Sequence, residues 1–169
     1  MLFRSSPDTG EPSGVSMGTD EAAREQRISK KLEELNQRLN TYVTSPLQVP
    51  EVNQDKLKTP VRLDLLTRLS HSLQELYSET QVMVAEACKC SEDLKRDFYD
   101  FAFLGLRAEH YDLLHRVTDL ESVQGEMSEE EKKDFKWLQG YQENRQRQVE
   151  RLEKLWTGLF SPEIGRAHV

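Results

Sequence analysis

Residues 60–124 read PVRLDLLTRLSHSLQELYSETQVMVAEACKCSEDLKRDFYDFAFLGLRAEHYDLLHRVTDLESVQ. Pro60 is the only proline of this stretch, Gly105 is its only glycine, and apolar residues recur at every third or fourth position. That spacing predicts one central α-helix from about 60 to 124. Such a helix would extend roughly 95 Å, which no single compact core covers. Periodic helices beyond about 25 residues are typical of coiled coils or helical arrays, so the stretch predicts an all-α, extended protein.

Two shorter helices are predicted on either side of the central helix. The first runs from about 20 to 44 and ends before Pro46, because the residue preceding a proline disfavours the helical conformation. The other runs from about 129 to 160 and starts with a capping box at Ser128–Glu131. The sequence therefore predicts a helical coiled-coil domain of three helices over residues 19–161, in which the shorter helices fold back antiparallel along the two halves of the central helix.

The apolar spacing also predicts how the first helix pairs. Its seam alternates in steps of four and three, which is a heptad pattern, at Ile28, Leu32, Leu35, Leu39 and Tyr42. Folded back antiparallel, this seam places Leu35 beside Leu73. The same register puts Lys31 opposite Glu79. It also puts Arg24 opposite Glu86, and exposed ion pairs of this kind contribute ~0.3 to 0.5 kcal/mol each.

The last helix is predicted to pack on the opposite face of the central helix. Its residues Phe135, Leu138, Gln142, Val149, Leu152 and Trp156 would face Leu120, Val117, Leu113, Leu106, Phe103 and Tyr99, in that order. A shifted register, which would put Trp156 on Asp97, stays open. Gln142 and Arg145 fall at seam positions, where polar side chains commonly fix the register at some cost in stability. We therefore predict a structural role for both.

Residues 98–106 are apolar all round the predicted helix, which indicates burial or an interface. In the predicted arrangement the first helix is too short to reach this region, and the last helix covers the other face. The residues left uncovered are Leu94, Phe98, Phe101, Leu104 and Tyr111. Exposed apolar patches mark interfaces, so we predict that these five residues bind a partner. The alternative is that the N-terminal segment, or sequence beyond Pro162, covers them.

Both chain ends have sequences that we expect to be foreign to the natural protein. Residues 2–5 are what the adapter-like DNA string CTCTTCCGATCT encodes, and residues 163–169 are what GAGATCGGAAGAGCACACGTC encodes. We therefore exclude both ends from the interpretation of the fold. The domain organisation that we expect is a disordered segment over residues 1–18, rich in Ser, Pro and Gly, and a non-native or disordered tail over residues 162–169.

Sequence patterns of catalysis or cofactor binding are not found. His71, His110 and His115 form no HExxH pair, and the spacing of the last two does not place both on one helix face. There is no glycine-rich phosphate loop and no nucleophile elbow. Cys88 and Cys90 would lie about 200° apart on a helix, so we do not expect them to chelate together. We predict a protein that is not an enzyme and has no cofactor or metal.

The amino-acid composition limits the classes of partner that the protein is expected to bind. The net charge is −7, whereas nucleic acids and anionic membranes require a basic footprint. No run of about 18 apolar residues is present, so a membrane span is not predicted. Charged residues make up 31% of the chain and hydrophobic residues only 36%, a balance typical of extended helices with much solvated surface. We expect other coiled-coil proteins or a second copy of this chain as partners, and a cytoplasmic location, with cytoskeletal association and the nucleus left open.

Three classes of function fit these observations. The first is a non-enzymatic scaffold or adaptor subunit of a cytoskeletal, centrosomal, kinetochore or trafficking assembly, which the heptads and the predicted apolar stripe favour. The second is a spectrin-like repeat of a longer structural protein, which three helices and a tryptophan in the last helix favour. The third is a membrane-binding helical module, which needs a face rich in Lys and Arg that this chain lacks.

Overall fold

The computed structural model describes the backbone of residues 13–168 and the side chains of residues 20–50 and 53–159. It is 86% helical, and the described residues form no strand. The prediction of an all-α protein is confirmed. Residues 1–12 lie outside the described residues. The structure therefore does not test the disorder or the adapter-like origin that we predicted for them.

Seven α-helices and two irregular helical segments make up the described chain. In chain order they are α1 (Ser13–Val43), α2 (Glu51–Gln54), α3 (Thr59–Gln81), α4 (Val84–Ala87), α5 (Glu92–Tyr99), a π-helical segment (Asp100–Leu106), α6 (Arg107–Asp119), a 3-10 helix (Leu120–Glu126) and α7 (Glu129–His168). The stretch from α5 through the π-helical segment to α6 is continuous and is called the α5–α6 unit below.

The prediction of one unbroken helix from 60 to 124 is wrong, because the chain turns back between α3 and α5. Residues 82–91 form this turn, and the only regular helix within it is the single turn of α4. Backbone hydrogen bonds of the 3-10 type keep its amides paired, for example from Met83 N to Thr80 O at 3.0 Å. Val84 and Ala87 are fully buried. Folding back therefore buries apolar surface that a straight helix would leave in water.

Three helices share one core in this arrangement. α3, the α5–α6 unit and α7 all contact one another, and α1 lies against both α3 and the α5–α6 unit. α7 starts beside the start of α3, where Pro60 and Thr67 line the same surface hollow as Ser128 and Asp134. The predicted staggered arrangement, with two helices on opposite sides of a long third, is replaced by a bundle in which α7 packs between α3 and α6.

Ion pairs fasten α1 to α3. The predicted pair of Lys31 with Glu79 is present at 2.7 Å, and Arg38 joins the same carboxylate at 2.5 Å. Hydrogen bonds from Arg38 and Lys31 lower the pKa of Glu79 to about 2. Glu86 pairs with Arg27 rather than with the predicted Arg24, one helical turn away.

The π-helical segment explains the residues that are apolar all round the helix. Three consecutive side chains, Phe101, Ala102 and Phe103, are all buried there. An α-helix spreads three consecutive residues over most of its circumference. This segment is covered on several sides, since α1 and α3 both contact it and Trp156 of α7 packs on Phe103 with ring centroids 5.5 Å apart.

The helix termini agree with the sequence in part. The predicted capping box is confirmed, since Ser128 N donates to Glu131 Oε1 at 2.8 Å and Glu131 N donates to Ser128 Oγ at 3.2 Å. α1 begins at Ser13, before the predicted start at residue 20, and α7 continues past the predicted end at residue 160 to His168.

Candidate functional site

The five residues predicted to bind a partner do not form one exposed stripe. Leu94, Phe98 and Phe101 are buried within the chain, so their predicted exposure is wrong. The reason is the turn after α3, which brings α1 and α7 over both faces of the α5–α6 unit. Leu104 and Tyr111 remain 53% and 45% exposed, respectively, and their role in binding stays a prediction.

An aromatic cluster holds α7 against the α5–α6 unit. The ring of Trp156 stacks on Phe98 with centroids 5.3 Å apart and an interplanar angle of 7°. Tyr99 lies 6.1 Å from the same indole ring. Trp156 was predicted to face Tyr99, and the structure brings these two residues together. Stacked and tilted rings at this distance add to the stability gained by burial, so this end of the bundle is closed by α7.

Arg145 is the centre of a buried polar cluster between α3 and α7. Its side chain is completely inaccessible to solvent. Nη2 donates to the backbone oxygen of Ser70 at 2.5 Å and to Gln74 Oε1 at 3.4 Å. Gln142 Nε2 donates to Ser70 Oγ at 2.8 Å, and the guanidinium lies 5.2 Å from the centroid of the Tyr141 ring. α3 and α7 are therefore joined by polar contacts at the middle of an otherwise apolar interface.

The environment of Arg145 is unusual because it contains no counter-charge. Among the described side chains, no carboxylate forms an ion pair with it, and its Nε has no hydrogen-bond partner. Burial lowers the pKa of Arg145. No surface hollow described below reaches the guanidinium. These contacts agree with the structural role predicted for Gln142 and Arg145, which is to fix how α7 lies on α3.

His110 is buried next to this cluster, on α6. Its Nε2 lies 2.9 Å from Gln146 Oε1, while Nδ1 has no partner. The imidazole meets the Tyr77 ring of α3 edge-on, with centroids 6.3 Å apart. Burial lowers the pKa of His110, against the hydrogen bond to Gln146 that raises it. The imidazole is thus a packing group whose burial disfavours its protonated form.

A groove runs along the surface between α6 and α7 and is called the α6–α7 groove. It has a volume of about 760 Å³. Its lining includes Tyr111, Leu114, Val117 and Thr118 from α6, Glu121 from the following 3-10 helix, and Lys136, Gln139, Gly140, Gln142, Glu143 and Gln146 from α7. A Cβ atom added at Gly140 would meet nothing within 4 Å. The groove therefore has an apolar side on α6, an amide-rich side on α7 and open space at its middle.

A second groove, the α1–α5 groove, separates α1 from α5 and the π-helical segment. It consists of two adjoining hollows of about 470 and 550 Å³. The first hollow has Leu32, Leu39, Leu94 and Phe101 at its base and Glu33, Asp97 and Asp100 on its walls. Two of the residues predicted to bind a partner, Leu94 and Phe101, thus lie at the base of a groove instead of on an open face.

The cysteines and the remaining titratable groups form no recognisable reactive centre in the described part of the chain. Burial raises the pKa of Cys88 and of Cys90 to about 11, and both are free thiols. The described residues contain no group of three or more His, Cys, Asp or Glu side chains that could hold a metal ion. None of the described helices combines the length and the apolar character needed to cross a membrane.

Both grooves were missed by the sequence interpretation. A signal for the α6–α7 groove was present, because Gln139, Gln142 and Gln146 follow helical spacing and Gly140 leaves a gap among them. No such signal marked the α1–α5 groove, since it depends on the turn at residues 82–91.

Comparisons of the chain with protein-family models, with curated proteins and with solved structures found no match.

Proposed function

We propose that this protein is a non-enzymatic scaffold or adaptor subunit that binds an α-helix of a partner protein in its α6–α7 groove. The observation that carries this proposal is the exposed aromatic ring of Tyr111 at a groove that the half-buried side chain of Leu114 also lines. Tyrosine is enriched at protein interfaces because it combines a large apolar body with a polar tip. Cytoskeletal, centrosomal, kinetochore and trafficking assemblies of the cytoplasm are the settings in which we place this activity.

The dimensions of the groove suit a short helix. One side extends from Tyr111 of α6 to Glu121 of the following 3-10 helix, and the α7 side extends from Lys136 to Gln146. Each side is therefore ~15 Å long at 1.5 Å per residue. That length accepts about three helical turns. A partner helix recognised in this mode places anchors at positions i, i+3 or i+4, and i+7.

The polar side of the groove gives the proposed contact its specificity. Gln146 Nε2 donates to Tyr111 Oη at 3.3 Å and to Glu150 Oε2 at 3.1 Å, so the aromatic ring is held in place by α7. The side chain of Gln139 also lines the groove. An amide can both donate and accept hydrogen bonds, which suits polar side chains on a partner helix better than a charged wall would.

The test uses the open space at Gly140. Gly140→Leu should fill the groove from within, and because no atom lies within 4 Å of the new Cβ, the bundle should stay folded. We expect tagged Gly140→Leu protein, purified from cells of the source organism, to lose at least one partner that co-purifies stoichiometrically with the unchanged chain. Circular dichroism should show the same helical content for both proteins.

Two matched variants control this experiment. Gly140→Ala gives the same position a small side chain and should keep the partner. Gly158→Leu places the same large side chain on α7 at another open position, since a Cβ there also meets nothing within 4 Å. Full retention of every stoichiometric partner by Gly140→Leu would contradict the proposal. Loss of the same partner from Gly158→Leu would show that the groove is not what binds it.

A spectrin-like repeat of a longer structural protein is the second candidate. One observation favours it, because α3, the α5–α6 unit and α7 share a single three-helix core, and spectrin-like repeats are built around one such bundle. Such repeats occur in tandem, so the complete transcript distinguishes the candidates. Further three-helix units in the same reading frame would favour the repeat over the adaptor.

A further inference from the structure

We infer that the outward face of α7 docks on an anionic phospholipid bilayer, with a row of basic side chains at the lipid headgroups and with Trp137 and Leu155 at the boundary between water and lipid. The inference does not depend on the helix proposed for the α6–α7 groove. It stands on the cations of α7, on the direction of the acids of the same helix and on the exposed apolar side chains beside the cations.

Five exposed basic residues of α7 form no ion pair with a described side chain. Lys132 is not one of them, since it lies 3.3 Å from Glu129, and neither is the buried Arg145. At about 100° per residue the five lie within about 60° of arc. They therefore face one side of the helix over ~30 Å of its length. The five are Lys133, Lys136, Arg147, Arg151 and Lys154, the last three of which line one surface hollow of about 850 Å³.

Near the start of α7, the acidic residues do not compensate these cations. Glu130, Glu131 and Asp134 line a hollow that α7 shares with the start of α3. The remaining acid of this part, Glu129, pairs with Lys132. These carboxylates are thus either turned toward α3 or already engaged by another cation.

In the second half of α7, the acidic residues are directed to α6. Glu143 lines the α6–α7 groove. Glu150 accepts a hydrogen bond from Gln146 at 3.1 Å, although it also borders the hollow of the last three cations. Glu153 borders the same hollow and pairs with Arg107 of α6 at 3.0 Å. Acids and bases alternate along the sequence of α7, and the packed helix separates them by side, which is why the sequence interpretation found no basic face.

Exposed apolar side chains lie beside the arc of cations, on the side toward α3. Trp137 is 45% exposed, and its ring lies 4.7 Å from that of Tyr141 and 5.4 Å from that of His71 of α3, measured between centroids. Leu155 is 40% exposed and points in the same direction, since it follows about five full turns later. Leu159, one turn beyond it, is 44% exposed. The face thus offers accessible apolar surface together with positive charge.

An anionic bilayer surface matches this combination. Helices that lie on membranes carry Lys and Arg together with Trp, Phe or Leu, and Trp is enriched at the boundary between lipid and water. Contacts to the phosphates of a nucleic acid would use the cations and leave the two leucines in water. The row of cations is straight because it belongs to one helix, which suits a flat partner. The net charge of −7 orients the molecule, since its other faces are repelled by anionic lipid.

The experiment measures co-sedimentation of the full chain with lipid vesicles. Vesicles of phosphatidylcholine alone are compared with vesicles that contain about 30% phosphatidylserine, at low and at physiological salt. We expect the chain to bind the vesicles with phosphatidylserine, with an affinity that falls as salt rises. The vesicles of phosphatidylcholine alone should not bind it.

Substitutions separate the α7 face from the charge of the chain as a whole. The three changes of the face variant are Arg147→Gln, Arg151→Gln and Lys154→Gln. The matched control neutralises three exposed bases of α1, the turn and α5 that also form no ion pair with a described side chain, namely Lys30→Gln, Lys89→Gln and Arg96→Gln. We expect the face variant to weaken binding about tenfold or more and the control to leave it within about twofold. Circular dichroism should show the same helical content for both.

Tryptophan fluorescence tests whether the apolar side chains reach the lipid. In Trp156→Phe only Trp137 is fluorescent, and we expect its emission to shift to shorter wavelength when vesicles with phosphatidylserine are added. Trp137→Phe is the control, because the remaining Trp156 stacks on Phe98 within the bundle and should keep its emission.

Several outcomes would overturn the inference. They are equal binding to the two kinds of vesicle, an equal loss in the face variant and its control, and an unaltered emission of Trp137 on bound vesicles. A DNA duplex and polyglutamate provide the last comparison, at the same concentration of negative charge. Binding to either that equals binding to the vesicles would also overturn it, because the cations alone would then account for the attraction.

Discussion

At the scale of single residues, Arg145 shows how a charge can be held inside a helical bundle by neutral groups. Its guanidinium contacts the backbone oxygen of Ser70, the side-chain amides of Gln74 and Gln142, and the ring of Tyr141. Removing a charged group from water is costly unless its partners compensate fully. Here the compensation is incomplete, since Nε is unpaired. We interpret the residue as one that specifies the position of α7 at the expense of stability.

The first prediction follows from that interpretation. Arg145→Met keeps most of the side-chain volume and removes the buried charge, so we expect the free energy of unfolding to rise by about 1 kcal/mol. Urea denaturation followed by circular dichroism measures the change. Arg147→Met is the control, because Arg147 is exposed on the same helix and surface changes usually fall within ~0.5 kcal/mol. A marked loss of stability in Arg145→Met would show that the guanidinium contacts outweigh its desolvation.

His110 gives the second prediction, which concerns pH. Because burial places its pKa in the folded state below the ordinary value of 6.5, the unfolded chain binds more protons as the pH falls. The stability that the neutral imidazole contributes is therefore complete above pH 6.5 and is lost as the pH falls through 6.5 toward the folded-state pKa. The groups facing the ring are Tyr77 of α3, Tyr111 of α6, and Arg145 and Gln146 of α7. None of them is a carboxylate that would favour the protonated form.

Denaturation midpoints at about pH 7.5 and about pH 5.5 test this dependence. We expect the unchanged protein to lose more stability between the two pH values than His110→Gln does, since glutamine cannot titrate. His115→Gln removes an exposed imidazole from the same helix and should keep the dependence of the unchanged protein. The same loss in His110→Gln as in the unchanged chain would mean that other groups control the response.

At the scale of elements, the sequence predicted that the chain is helical but did not predict the turn between α3 and α5. The heptad spacing that defined the central helix continues through residues 82–91 without a proline or a glycine, so local spacing alone could not reveal the turn. One local signal existed. Ser91 caps α5 by accepting a hydrogen bond from Leu94 N at 3.4 Å, and Glu92 and Asp93 follow it in the first turn.

The capping signal at Ser91 does not by itself determine where α5 begins, and tertiary contacts supply the rest. Glu25 of α1 accepts a hydrogen bond from Ser91 N at 2.7 Å, so an element far along the chain helps to fix the start of α5. No pattern within residues 60–124 contains that information. The same error explains the failure at the site, where Leu94, Phe98 and Phe101 were predicted to bind another molecule but are buried by helices of the same chain.

The third prediction tests the interface of α1 and α3. Leu73 and Leu35 are both completely buried, and their predicted pairing remains a prediction. Leu73→Ala removes buried methyl groups and leaves a cavity, so we expect a loss of ~2 to 5 kcal/mol in the free energy of unfolding. Leu104→Ala makes the same chemical change at a position that is 53% exposed and should cost within ~0.5 kcal/mol. Equal effects of the two substitutions would contradict the burial of this seam.

At the scale of the whole molecule, the predicted and the observed arrangements differ in how cooperatively the chain should unfold. Two hairpins on opposite halves of a 95 Å helix would have separate cores and could unfold separately, as elements that contact only their neighbours do. In the structure α3 contacts α1, the α5–α6 unit and α7. Loss of any one helix therefore exposes apolar surface on α3, and small domains with one core usually unfold in a single step.

The fourth prediction is that the two ends of the bundle unfold together, and the two tryptophans allow it to be measured. Trp137 lies beside His71 of α3, with ring centroids 5.4 Å apart, whereas Trp156 stacks on Phe98 of α5. In Trp137→Phe only the Trp156 end is fluorescent, and in Trp156→Phe only the Trp137 end is. Because both ends belong to one core, we expect the fluorescence and circular dichroism transitions in urea to coincide within each variant. Two separate transitions in either variant would mean that the halves of the chain unfold independently, as the hairpin arrangement requires.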